Sequence, residues 1–249
     1  DKLPQAHLVA FKSQCDGIGI VPHLVVLHGQ IGIVAAGLAQ SGRSALLEPV
    51  NRPVDLIFDH GVQLFDLERA VQVHDEYPGL HFIAAPQEIE SSPDSVKFRA
   101  LCIRLRASYD FVLIDAPAGV GSWVQDIISC CDECVVVATP DLTALRDAQR
   151  VAQLIADIGS PPAKLVINKV SPTMINRGYL QNVDDMMDSV ALPLLGLVPA
   201  DDSILIYSNS GKPVSGSKSV CSGPFENIAL RLCGKSVPLD RYWRKKKNR

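Results

Sequence analysis

The sequence predicts an α/β fold, a mostly parallel sheet with helices on both faces, and three observations predict it. Short, nearly continuous Val/Ile/Leu runs recur along the chain, as in "YDFVLIDAP", "ECVVVATP", "AKLVINKV" and "LPLLGLVP". Such runs mark strands buried on both sides, the pattern of a parallel sheet under helices. Longer amphipathic stretches alternate with them, and one, "TALRDAQRVAQLIADIG", closes on Gly159, a helix stop signal. The chain has 249 residues, 47% hydrophobic and 20% charged, which suits one large α/β domain with a sizeable core.

In chain order, "HLVAF" (7–11) reads as a strand, and 22–42 as a helix or a strand-turn-helix. "RSALLEP" (43–49) and "LHFIAAP" (80–86) read as strands, and "SVKFRALCIRLRAS" (95–108) as a helix. Four strands follow, at 109–117, 133–140, 163–170 and 192–199, with the helix at 143–159 between the second and third. Several of these strands end in Asp, Pro, Asn or Thr. Ligands of open α/β sheets bind off the carboxyl ends of the strands, so these polar residues are where chemistry is expected.

The bulk charge narrows the function classes. A net charge of −3 argues against nucleic-acid binding by the whole surface, and no specific nucleic-acid contact is expected. Seven cysteines, an odd number without framework spacing, fit buried thiols in a reducing cytoplasm. No run of about 18 apolar residues reads as a membrane span. No signal peptide is read at the start, although the chain opens on Asp1. The organisation expected is one domain over 1–239 and a basic tail over 240–249, "DRYWRKKKNR". That tail is too short and polar for a wide apolar helix face. It reads as a solvated end, with peripheral contact to an anionic membrane surface as the alternative.

"YDFVLIDAPAG" is the most informative segment. Asp115 stands at the tip of a buried strand, the Walker-B arrangement for a Mg²⁺-water site beside a phosphate. The alternative is an Asp that merely caps the next turn. "CCDEC" (130–134) tempts a zinc reading, but Cys131-x-x-Cys134 has no second pair or His close by in sequence.

From Tyr109 to Ile155 the chain resembles the MinD/ParA-type P-loop ATPases, the MinD branch most closely. The motifs are Asp115, then Pro117 to Gly119, Cys131-Asp132, Thr139-Pro140, Thr143, and Arg146 to Ala148, in that order. "LVINKVSP" and "LPLLGLVPADDSILIYSNSGKPV" are similar to the family's later segments. The resemblance extends from about Arg43 to Leu239 and implies a single-domain P-loop NTPase-like fold. It also implies ATP and Mg²⁺ as ligands, an ATP-driven homodimer, a protein activator, and a role in placing the division site or positioning cargo. In that reading Asp115 holds Mg²⁺ through water, and Asn168, Pro199 and Asp201 surround the adenine. Glu48 is the one carboxylate offered where the family positions water.

The opening segment departs from the family. Its phosphate loop has the form "SGKGGVGKT", and "SQCDGIGIV" (13–21) laid upon it places Gly17 and Gly19 correctly with Ile18 between them. Cys15 and Ile20 then stand where lysines belong, Val21 replaces the Mg²⁺-binding hydroxyl, and Asp16 adds a negative charge. Backbone N–H groups of such a loop still cradle phosphate, but the lysine charge is gone. A second register, His28 to Val34, also lacks the lysine. Three readings follow: an ATP-dependent switch, a pseudo-ATPase scaffold that keeps the fold without turnover, and a divergent or corrupted N-terminal stretch.

Overall fold

The computed structural model describes residues 7–13, 32–36, 71–74, 79–84, 94–159, 161–210 and 212–239. Its elements begin with β1 (His7–Ser13), β2 (Gly32–Ala36), β3 (Gln72–Val73), β4 (Leu80–Ala84), α1 (Ser95–Ser108) and β5 (Phe111–Asp115). They continue with α2 (Ser122–Ser129), β6 (Glu133–Ala138), α3 (Leu142–Ile158), β7 (Ala163–Val170), α4 (Pro172–Asn176) and α5 (Val183–Val190). The last are β8 (Leu194–Pro199), α6 (Ser203–Asn209) and α7 (Ser222–Leu232). The strands form one sheet in the order β3-β4-β2-β5-β1-β6-β7-β8.

The apolar runs are strands because each can bury both of its faces. Side chains alternate across a strand, so Val112 and Ile114 of β5 join one core with α1, α2, α3 and α5. Phe111 and Leu113, one residue out of phase, join a second core with Cys221, Ile228 and Leu232 at α7. Strands β6, β7 and β8 divide in the same way, Val136 to the first core and Val135 to the second, Leu165 to the first and Val166 to the second. The α/β class with helices on both faces is thus realised.

The helices begin and end where their caps dictate. Asp94 accepts hydrogen bonds from the backbone N–H of Val96 and Lys97 and starts α1. Phe98, Leu101, Cys102 and Leu105 then fall on one face of that helix and are buried. Phe98 meets Trp123 of α2 edge to face, with centroids 4.6 Å apart. Asp141 caps α3 through the Ala144 N–H at 2.9 Å, and Gly159 ends it in the left-handed region at φ 66°. Asn182 caps α5, whose last turn closes on Ala191, a non-glycine residue at φ 58°.

Strand direction adds something that hydrophobic pattern alone does not carry. Strands β5, β6, β7 and β8 share one direction, with β6–β7 and β7–β8 hydrogen-bonded in parallel. β1 lies between β5 and β6 and runs against both. β2 runs against β4 and β5, and β3 against β4. The strand expected at "HLVAF" is present, but its end at Ser13 pairs with Phe111, the start of β5, while Val9 pairs with Asp115. The chain enters β2 at the other end, where Gly32 pairs with Asp115. The strand expected at 43–49 lies outside the described residues.

Helix α7 packs on the sheet face at β8. A Cβ added at Gly196 would collide with Cγ1 of Ile228, so glycine is needed for helix and strand to approach this closely. Arg231 of α7 donates to the carbonyls of Leu195 at 2.8 Å, Val237 at 3.0 Å and Pro238 at 2.6 Å. One guanidinium thereby ties strand, helix and the segment beyond.

Two substitutions test this packing through urea midpoints. Gly196→Ala must displace Ile228 and is expected to cost about 1–3 kcal/mol. Ala191→Gly relieves a left-handed residue at an exposed cap and is expected to gain about 0.5–1 kcal/mol. An unchanged midpoint in both variants would contradict the α7–β8 contact and the α5 cap as described.

Candidate nucleotide site at the carboxyl ends of the strands

The shared direction of β5 to β8 places the carboxyl ends of all four on one side of the sheet. Asp115 ends β5, Thr139 follows β6, Asn168 lies near the end of β7, and Pro199 ends β8. Asn168 and Pro199 come together: Pro199 pairs with Val170, and the Ala200 N–H donates to the Val170 carbonyl at 3.0 Å. Between them the register shifts, so that Asn168 and Lys169 bulge out of the ladder. Lys169 takes φ 58° there, and its N–H donates to the Asn168 side-chain oxygen at 2.9 Å. A lysine in the left-handed region is uncommon, and such strain clusters at functional sites.

Asp115 is set back from this group. It pairs with Val9, Val9 with Val135, and Val135 with Lys164, so Asn168 lies four residues beyond the row of Asp115. At about 3.3 Å per residue that is roughly 13 Å along the strand direction, with three strand spacings of about 4.8 Å across. The sheet therefore keeps the carboxylate expected to serve the metal well apart from the residues expected to serve the base.

Each of these residues has a definable chemical state. Burial pushes the Asp115 carboxyl up to about 6. The Thr139 hydroxyl donates to Asp141 at 2.5 Å and braces the cap of α3. Asp201 is the opposite of Asp115. Its carboxylate accepts from the Ser203 hydroxyl at 2.5 Å, the Ser203 N–H at 3.0 Å and the Ser219 hydroxyl at 2.9 Å. Those bonds, the Ser203 hydroxyl first, hold it below the usual carboxylate range.

Gly17, Ile18, Gly19, Ile20, Val21 and Glu48 lie outside the described residues, as do the basic tail and Cys15. Of the second loop register, Gly32, Ile33 and Val34 are in β2 and pair with Asp115, Ile114 and Leu113. The cysteines of "CCDEC" are packed against protein. The Cys131 thiol contacts the Ile127 carbonyl at 3.0 Å, and the Cys134 thiol is pushed up to about 12 by burial and then by Glu133. Among the described residues no three His, Cys, Asp or Glu side chains gather as a metal would need, and no helix is long and apolar enough to cross a membrane. The sequence reading missed the bulge at Asn168–Lys169 and the serine contacts of Asp201. The "DDS" at 201–203, an Asp followed two residues later by a hydroxyl, was the available signal for the latter.

Known proteins are similar to this chain in sequence and in fold. A septum site-determining MinD of Helicobacter pylori is 30% identical over 227 residues, covering 82% of this chain and 84% of that protein. The chain belongs to the MinD family. A MinD homologue of Mesostigma viride is 42% identical over 135 residues, and the chain spans about half of that relative's length, 47%. A family model for the cellulose biosynthesis protein BcsQ matches residues 82–176. Among solved structures, MinD in the MinC:MinD cell division complex of Aquifex aeolicus has a TM-score of 0.64 at 28% identity, covering 70% of this chain and 71% of that one. MinD of Pyrococcus horikoshii, solved with Mg-ADP, has a TM-score of 0.58 at 21% identity over 71% of this chain and 75% of its own, a likeness of fold.

The state of Asp115 yields a pH prediction. Its folded pKa, about 6, lies above the unfolded value of about 3.9. The stability it contributes is full below about pH 4 and is lost as pH rises through about 6. Asp115→Asn should therefore be more stable than the parent chain at pH 8, by about 1 kcal/mol once screening of a half-exposed carboxyl is allowed for. The advantage should vanish near pH 4, and thermal melts across that range check it.

Proposed function

We propose that this MinD-family chain binds Mg·ATP along the carboxyl ends of β5 to β8 and acts as a nucleotide-dependent switch in division-site placement or cargo positioning. The observation that carries this reading is that Asp115, Asn168 and Pro199 all stand toward the carboxyl ends of strands that share one direction in one sheet. Asp115 fits a hard divalent cation: it is an oxygen ligand, and burial makes its negative charge costly until a cation balances it. When bound, Mg²⁺ would supply positive charge against the phosphates.

The chain's own residues divide the work. Asp115 would hold the cation through water. Asn168, lifted from the ladder by the Lys169 bulge, presents an amide to the base. The buried Pro199 packs beside it as an apolar wall. A homodimer, a protein activator, a MinC-like partner of the kind in the Aquifex aeolicus complex, and peripheral membrane contact through residues 240–249 complete the proposed cycle. The domain organisation proposed is 1–239 for the nucleotide-binding unit and 240–249 for the tail.

A specific observation favours the second reading, a pseudo-ATPase. Cys15, Ile20 and Val21 replace the groups that handle phosphate charge and Mg²⁺, and the end of β1 at Ser13 stands beside Phe111 and away from Asp115. Charge-assisted hydrogen bonds are worth about 1.5–3 kcal/mol each, so turnover suffers more than binding. One experiment separates the readings: thermal melts with and without millimolar Mg·ATP, paired with phosphate release. At about 100 times Kd, binding should add about 2.7 kcal/mol. A shift with phosphate release is expected of the switch, and a shift without release of the scaffold. A cooperative melt that does not move overturns nucleotide binding itself.

A further inference from the structure

The loop between α6 and α7 is tied down by two carboxylates. Asp201, just beyond β8, receives the Ser219 hydroxyl at 2.9 Å, across 18 residues of sequence. The Ser203 and Ser219 hydroxyl oxygens lie 2.8 Å apart beside that carboxylate, and the Cys221 N–H donates to the Ser219 hydroxyl at 3.0 Å. Glu226 of α7 accepts from the Gly216 N–H at 3.1 Å and the Ser222 hydroxyl at 2.8 Å. The loop meets the strand end directly, since the Cys221 thiol lies 3.4 Å from the Pro199 carbonyl.

A carboxylate has about four acceptor sites. Three of those on Asp201 take the two Ser203 bonds and the Ser219 bond, and the backbone of Val220 also hydrogen-bonds to it. Little capacity remains for the amino group of a base. Pro199, two residues earlier, pairs with Val170 beside the Asn168 bulge, so whatever fixes the loop also fixes the wall next to Asn168.

We propose that Asp201 is a positioning residue: with Ser203 and Ser219 it clasps the 212–221 loop against the end of β8, and the clasped loop, not the Asp201 carboxylate, forms the base-side wall of the nucleotide site. This rests on the functional reading above for its ligand, an adenine nucleotide, but the clasp itself does not. Removing the Ser219 hydroxyl deletes the side-chain tie between loop and strand end and leaves Asp201 its Ser203 bonds and the backbone bond from Val220. Ser219→Thr keeps the hydroxyl and the tie.

The test uses the full chain and three proteins: the parent, Ser219→Ala and Ser219→Thr. Amide hydrogen exchange is read at residues 216–221, and Kd is measured for Mg·ATP and Mg·GTP, with a urea midpoint for each protein. Ser219→Ala is expected to speed exchange of the Ser219 and Cys221 amides about tenfold, as expected for loss of one bond to a charged acceptor. It is also expected to shrink the ratio of GTP to ATP dissociation constants about tenfold, while Ser219→Thr matches the parent in both. A structural role alone would lower the midpoint and leave that ratio unmoved, and a ratio unmoved with the loop loosened overturns the proposal. Unchanged exchange in Ser219→Ala overturns the clasp. If the parent chain binds neither nucleotide, the functional reading fails, and the exchange rates alone decide whether the clasp exists.

Discussion

The polar residues of the candidate site are arranged by one constraint: strands β5 to β8 are buried on both faces. A strand that gives Val112 and Ile114 to one core and Phe111 and Leu113 to the other has no solvated side along its length. A charged or hydrogen-bonding side chain on it can reach water only at its ends. Asp115 stands at such an end, and it still carries enough burial to hold its proton up to about 6. Asn168 reaches the surface by a different device, a bulge that lifts it out of the ladder at the cost of a left-handed lysine. The site is thus the part of the sheet where the double burial stops.

The same constraint explains the cysteines. Cys102, Cys130, Cys134 and Cys221 serve as small apolar residues in the two cores, each less than a tenth exposed. Cys134 sits under the one partly buried ion pair across β6 and β7, Lys164 to Glu133 at 2.5 Å. The carboxylate there, together with burial, raises the thiol further from ionisation. A cluster that looks metal-like as a string of letters is, in three dimensions, where a helix end packs onto a strand start.

How much was legible in the sequence depended on which signal each element carried. The helix over 143–159 announced itself by its amphipathic pattern and by Gly159, and 95–108 also read as a helix; the structure has them at Leu142–Ile158 and Ser95–Ser108, with Asp141 and Asp94 as caps that were not read in advance. The strands read at 109–117, 133–140, 163–170 and 192–199 were visible as apolar runs, and the structure has them at Phe111–Asp115, Glu133–Ala138, Ala163–Val170 and Leu194–Pro199. What a doubly buried run cannot encode is direction, because it reads the same from either end. "HLVAF" is an apolar run, and its pairing against both β5 and β6 had no counterpart in its letters. Direction in this fold is set by connections and partner register, which are long-range facts.

The candidate site divides along the same line. Asp115 was readable because a single carboxylate at the end of four apolar residues is a local pattern, and Asn168 because of the strand that carries it. The bulge at Lys169 was not, since "NKV" has neither the glycine nor the asparagine that usually announces a left-handed residue. Asp201 shows why a residue's chemistry needs its partners as well as its place. A carboxylate near a strand end can bind a base, hold a metal, or cap a turn, and letters alone allow all three. Ser203 is two residues away and sequence can nominate it. Ser219 is 18 residues away and only the fold brings it within 2.9 Å. Because the two hydroxyls and the backbone occupy most of its acceptor sites, the structure leaves Asp201 better equipped to hold a loop than to hold a ligand.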